Sequence, residues 1–134
     1  MERITRQRKA VLEALERGRQ ALSPPEILAR ARETVPTLNL STVYRQITGL
    51  LDEDLVAAVV LPGQPTRYEP ACEQAHDDPG HHHHHFHCTV CNRVYALHAC
   101  PGPMQDLVPR GFKVESHELT LHGRCADCRR GAHA

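Results

Sequence analysis

The chain has 134 residues, with sixteen Lys/Arg against sixteen Asp/Glu, six cysteines, eleven histidines, 4% aromatic residues and no Trp. So few aromatics in so short a chain exclude a large apolar core, and a bound metal and a dimer interface are the expected supplements. No apolar run approaches the ~20 residues that span a bilayer, and Met1 leads straight into a charged segment, so no membrane partner and a cytoplasmic location are expected, where thiols stay reduced.

The zero net charge is unevenly divided. Residues 1–50 carry nine basic and five acidic side chains, and the remaining 84 carry seven and eleven. A basic first part suits phosphate, and an acidic second part rich in His and Cys suits cations.

In chain order, residues 4–16 predict a first helix, with Ile4, Val11, Leu12 and Leu15 near one side and Gly18 ending it. Ser23 before Pro24, Pro25 and Glu26 has the form of a capping box, and a second helix is expected from Pro24 to about Glu33. Asn39 or Ser41 caps a third, about Ser41 to Asp52, in which Val43, Ile47, Leu50 and Leu51 cluster and Arg45 points the other way, flanked by Ser41 and Thr42. Three short helices, the last presenting hydroxyls, Tyr44 and Arg45, fit a helix-turn-helix, although a solvated helix face reads the same way. Leu55–Leu61, the turn Pro62–Pro65 and Thr66–Glu69 then predict a hairpin, a wing with Arg67 near phosphate.

Residues 70–80 read as a loop and carry Cys72, His76, Asp77 and Asp78, all candidate ligands. Five consecutive histidines, His81 to His85, run through Phe86 and His87 into Cys88-x-x-Cys91, and a second pair, Cys125-x-x-Cys128, answers near the C-terminus. Imidazole and thiolate are the ligands zinc prefers, and four thiolates close a tetrahedral shell. The alternatives are a tag or passive His tract, and redox or disulfide chemistry for the CxxC pairs. Tags sit at termini, whereas this run is internal and continuous with the first CxxC. Between the pairs, Arg93–Ala99 predicts a strand, Met104–Val108 a short helix, and Phe112–His122 a strand with His117, Leu119 and Leu121 on one face. The fold class is therefore α+β, with a winged helix-turn-helix domain (1–70), a loop (71–80) and a small α+β lobe (81–134) whose folding back would bring the four cysteines to one zinc.

These pieces together resemble the ferric uptake regulator (Fur) superfamily of metal-sensing repressors, most of all its zinc-uptake-regulator branch. The likeness is carried by Thr5-Arg6-Gln7-Arg8 with Val11-Leu12, by Leu40-Ser41-Thr42-Val43-Tyr44-Arg45, by the His run with its CxxC, and by His117 eight residues before Cys125. The resemblance implies a homodimeric repressor of uptake genes that binds double-stranded, AT-rich palindromic DNA through Ser41, Thr42, Tyr44, Arg45 and Arg67. It implies that 81–134 is a dimerisation domain joined through a hinge loop at 71–80, with a structural zinc on Cys88, Cys91, Cys125 and Cys128. It further implies a regulatory metal site on His83 and His85, with Glu69, Cys72 and His76 as candidates for the remaining ligands, and a secondary site on His82, His84 and His117, completed near His98 or Cys100. His81 and His87 are left as ligands or as solvated side chains. Two departures stand out: Gln20, Ala21 and Leu22 occupy the stretch where iron and peroxide sensors of the family carry a His, and Ala57 and Ala58 stand where zinc sensors often have an Asp.

Cys72 points to zinc as the regulatory metal, because a thiolate with two imidazoles makes a soft tetrahedral set; ligation by Glu69 instead brings Fe(II), Mn(II) or peroxide sensing back as the alternative. An enzyme is not expected. His117-Glu118 meets its next His five residues on, short of the HExxH pattern, and neither HxE with PCxxC nor GxSxG occurs. A metal buffer or chaperone is the remaining rival, and it leaves the wing and the TVYR helix without a purpose.

Overall fold

A computed structural model describes residues 2–72 and 83–131, with side chains from Arg6 onward. Helix α1 (Glu2–Glu16) buries Ala10, Val11, Ala14 and Leu15, which recur at the three- and four-residue spacing of one helix face. It gives way at Gly18, whose φ of 78° suits the residue without a Cβ. Strand β1 (Gln20–Ala21) follows, then α2 (Pro24–Ala31). The expected capping box is formed: the Glu26 carboxylate accepts from the Ser23 N–H at 3.0 Å and its hydroxyl at 2.9 Å.

Helix α3 (Leu40–Asp52) is capped by Asn39, whose side-chain oxygen accepts from the Thr42 N–H at 2.9 Å, satisfying an orphan donor of the first turn. Its Val43, Ile47 and Leu50 meet Val11, Leu15, Leu22, Ile27 and Leu38 in one apolar core. An ion pair between Arg8 and Glu53 ties α1 to the end of α3. Strands β2 (Val56–Val59) and β3 (Arg67–Pro70) form the expected antiparallel hairpin, with Val59 opposite Arg67.

The second lobe contains β4 (His84–Cys88), β5 (Val94–Leu97), β6 (Thr120–Gly123) and a final turn of helix, α4 (Ala126–Arg129). Its sheet has the order β1-β5-β4-β6, β4 pairing antiparallel with β5 and parallel with β6. The outer strand β1 comes from the first lobe, with Gln20 opposite Tyr95 and Ala21 opposite Val94. Leu22 also exchanges two 2.8 Å backbone bonds with Tyr68 of the hairpin. Residues 20–22 therefore stitch the wing to the sheet of the second lobe, across the expected boundary at 71–80, and Ala21, Val59, Leu61 and Val94 pack together at the seam.

The expected strand Phe112–His122 is paired only from Thr120 onward, and the expected helix Met104–Val108 is one 3-10 turn, Gln105–Leu107. Alternation alone does not make a ladder: residues 112–119 lie outside every strand among the described residues, and a strand without a neighbour leaves its backbone bonds unmade.

Candidate functional site

Two CxxC pairs separated by 33 residues meet because β4 delivers Cys88, the turn behind it delivers Cys91, and α4 begins at Cys125 and carries Cys128. All four sulfurs lie within 4.8 Å of one another. Cys91 Sγ and Cys125 Sγ are 3.8 Å apart, close to the ~3.8 Å edge of a tetrahedron with Zn–S of roughly 2.3 Å. Backbone N–H groups of Cys91 and Cys125 point at Cys88 Sγ, at 3.5 and 3.4 Å. Burial raises the Cys88 thiol, but those donors and the Val90 N–H outweigh it and bring it down to about 5. Burial pushes Cys128 up to about 12 and also raises Cys91, whereas backbone hydrogen bonding at Cys128 lowers Cys125. Two of the thiols, Cys88 and Cys125, are lowered and two, Cys91 and Cys128, are raised by burial, a cluster in which a shared dication would compensate the buried thiolate charge, and its residues fit zinc.

The His run enters β4, where successive side chains alternate between faces. His83 and His85 thereby turn to one side and His84 to the other. On the first side, Cys72, His83 and His98 place their ligand atoms within 4.8 Å of one another. Glu69, buried on β3, turns both oxygens to the same place: Oε1 is 3.4 Å from His83 Nδ1 and Oε2 is 3.1 Å from His85 Nε2. A cleft of about 320 Å³ opens there between the wing and the sheet, lined by Ala57 to Pro62, Glu69, Cys72, His83, His85 and Glu118. A second hollow of about 170 Å³ behind it is lined by Gln20, Glu69, Cys72, His83 and His98. Carboxylate, thiolate and imidazoles thus converge at the junction of the two lobes, and a cation there would bridge wing and sheet.

His98 differs from its expected grouping. The β4–β5 register that sets His84 against Leu97 sets His83 against His98 one step further out, and the two rings lie 4.3 Å apart. His98 therefore joins Cys72 and His83, while Cys100 alone of the two candidates joins the other cluster. Glu118 is a further cleft residue that spacing alone did not single out.

On the opposite face His84, Cys100 and His117 form a third group with ligand atoms within 4.8 Å. His84 and His117 stack at 5.0 Å, and Cys100 Sγ is 3.2 Å from His117 Nε2. His76, His81 and His82 lie outside the described residues.

The exposed side of α3 carries Ser41, Tyr44 and Arg45, Tyr44 being 50% exposed. Thr42 does not join them: it is 8% exposed, turned inward in the first turn where Asn39 caps its N–H. Arg67 is also corrected. It is 3% exposed and ion-paired with Glu26 at 2.6 Å, and it donates to the carbonyls of Ala21 and Asn92 at 3.2 and 2.9 Å, so it cannot reach phosphate from this position.

A sequence model of the ferric uptake regulator family matches residues 2–122. The chain belongs to the ferric uptake regulator family. It is 29% identical to the zinc uptake regulation protein of Escherichia coli over 131 residues, covering 94% of this chain and 72% of that one. The fold matches the Helicobacter pylori ferric uptake regulator, a structure with three functional metal-binding sites, at a TM-score of 0.64 and 27% identity over 92% of this chain and 79% of that one. It also matches a zinc uptake regulator complexed with zinc and DNA, at a TM-score of 0.56 and 27% identity over 96% and 84% of the two chains. Like these regulators, this family member is of the metal-responsive kind, and among its described residues no helix is long and apolar enough to cross a membrane.

Proposed function

We propose that this protein is a zinc-sensing, DNA-binding repressor that controls metal uptake genes and has no enzymatic activity. The observation that carries the reading is the convergence of Cys72, His83 and His98 with Glu69 at the junction between wing and sheet. A thiolate with two imidazoles favours zinc over the harder Fe(II) and Mn(II), and the site's place between the lobes gives the metal a structural consequence.

In this reading Cys88, Cys91, Cys125 and Cys128 hold a structural zinc that keeps the second lobe folded. Cys72, His83 and His98 bind the regulatory ion, and Glu69 completes its shell or orients His83 and His85. His84, Cys100 and His117 form the secondary site, together with His82. Ser41, Tyr44 and Arg45 on α3 meet DNA, Arg45 reading a guanine edge and the hydroxyls holding phosphates. Bound metal would fix the angle between wing and sheet, and a homodimer would thereby set the spacing of two α3 helices on a palindromic site. Support for the dimer comes from apolar side chains left in water on the second lobe: Leu107 at 79%, Phe112 at 62% and, on the outer strand β6, Leu121 at 53% exposure. The cytoplasm follows from a role on DNA and from reduced thiols.

The test is to follow binding to AT-rich palindromic DNA at fixed salt while free Zn²⁺, Fe²⁺ or Mn²⁺ is raised in buffered steps. Zinc should switch binding on at the lowest free concentration. Switching by Fe²⁺ or Mn²⁺ alone would move the site to an oxygen-rich shell around Glu69, and no DNA binding with any metal would leave metal buffering as the function.

A further inference from the structure

Outside the three clusters, one pair of imidazoles has the geometry of metal ligands. His87 on β4 and His122 on β6 are register partners across the parallel pair, and their Nδ1 atoms are 3.3 Å apart. Two imidazole nitrogens roughly 2.0–2.1 Å from a tetrahedral ion stand about 3.3–3.4 Å apart, so this separation fits one edge of such a shell. The other nitrogen of His87, Nε2, meets Asn92 Oδ1 at 2.5 Å. That oxygen accepts, so Nε2 carries the proton and Nδ1 presents its lone pair toward His122, the arrangement in which an outer hydrogen bond fixes a ligating His.

Asn92 is itself held in place. It adopts φ 65°, a left-handed conformation that Asn tolerates, in the turn after Cys88-x-x-Cys91. Its N–H donates to the Cys88 carbonyl at 3.0 Å and its carbonyl accepts from Arg67 at 2.9 Å. The acceptor that orients His87 is therefore fixed before any ion arrives, and His87 is half-buried while His122 is exposed, which leaves the solvent side open for water to complete a shell.

We propose that His87 and His122, oriented by Asn92, form a separate surface site for a nitrogen-preferring divalent ion of the zinc, nickel or copper class. The site shares no ligand with the three clusters and stands whether or not those clusters sense zinc. Arg67 links Asn92 to the wing, so an ion on His87 would rest on the same turn that the wing rests on.

The test uses the full chain with Zn²⁺ as the probe. The His81–His85 run would also take up zinc, so the informative quantity is the difference between the wild type and His122→Ala, a change at an exposed position outside the run. Competition with a chelator should find one more zinc equivalent on the wild type than on His122→Ala. Asn92→Gly, which keeps the left-handed backbone but removes the acceptor, should bind that equivalent about 10–100-fold more weakly. In the wild type itself, zinc should shift the Nδ1 resonances of both His87 and His122. Equal stoichiometry and affinity for wild type and His122→Ala, or ring resonances that do not respond to zinc, would overturn the proposal and leave the two rings as a hydrogen-bonded pair.

Discussion

Arg67 of the wing donates from Nη2 to the backbone carbonyl of Asn92, 2.9 Å away in the turn that also carries the Cys88–Cys91 pair. The same guanidinium holds the Glu26 carboxylate that caps α2, so one buried side chain joins wing, helix and the turn behind the first CxxC.

Replacing Arg67 by Met removes charge-assisted bonds from a buried position while Glu26 keeps about a third of its side chain in water, so the expected cost is on the order of 2 kcal/mol. Urea unfolding of the zinc-loaded protein measures it. The salt dependence of DNA affinity should stay as in the wild type, because a lost phosphate contact would lower that slope by about one.

Arg45 is exposed on α3 beside Tyr44, with the apolar face of the helix turned into the core. Arg45→Ala should weaken specific DNA binding by about 1–3 kcal/mol and relax the preference at one base position, with unfolding stability unchanged. Binding assays against a set of single-base operator variants would reveal both effects, and an undiminished specific affinity would remove Arg45 from the readout.

Zinc uptake by the tetrathiolate should release fewer than four protons at neutral pH. Cys88, at about 5, is already a thiolate there and has no proton to give, whereas Cys91 is raised and Cys128 stands at about 12, so both must lose theirs. Affinity therefore rises with pH through neutrality, and it falls further once acid protonates Cys88 near 5. Calorimetry of zinc binding in buffers of different ionisation enthalpy counts the protons directly.

Stripping that zinc, or making Cys125→Ser, should unfold the second lobe before the first. Its core cluster is Cys88, Cys125 and Cys128 with Phe86, Cys91 and Tyr95 packed on it, while the first lobe has its own core of Val11, Leu15, Leu22, Ile27, Ile47 and Leu50. Hydrogen exchange after chelation should show β4 to β6 losing protection while α1 to α3 keep theirs; equal loss in both lobes would mean that the seam at residues 20–22 makes them one unit.

Much of this organisation is legible in the residues, and the exceptions have a common cause. Ser23–Glu26 and Asn39 announce their helices because caps are local chemistry, and the apolar spacing of α1 and α3 gives the face that packs. The four cysteines are read as one site because thiolates at CxxC spacing have few other uses in a His-rich chain. Arg67 is misread because a charged residue in a hairpin ordinarily faces water; Glu26 and the carbonyls of Ala21 and Asn92, 41, 46 and 25 residues away, turn it inward. His98 joins Cys72 through the register of β4 on β5, which depends on the turn between them and not on spacing along the chain. Thr42 lies near the boundary of the helix face, where one turn of cap geometry decides between burial and exposure.

The most direct measurement is DNA binding under buffered free zinc for the wild type and Cys72→Ser, both retaining the tetrathiolate zinc. If metal at Cys72, His83 and His98 governs the angle of the wing, the wild type should bind DNA at a free zinc concentration about tenfold or more below that needed by Cys72→Ser, and DNA should raise the zinc affinity of the wild type by the same factor that zinc raises its DNA affinity. Identical zinc responses from the two proteins would contradict the account and remove that cluster from regulation.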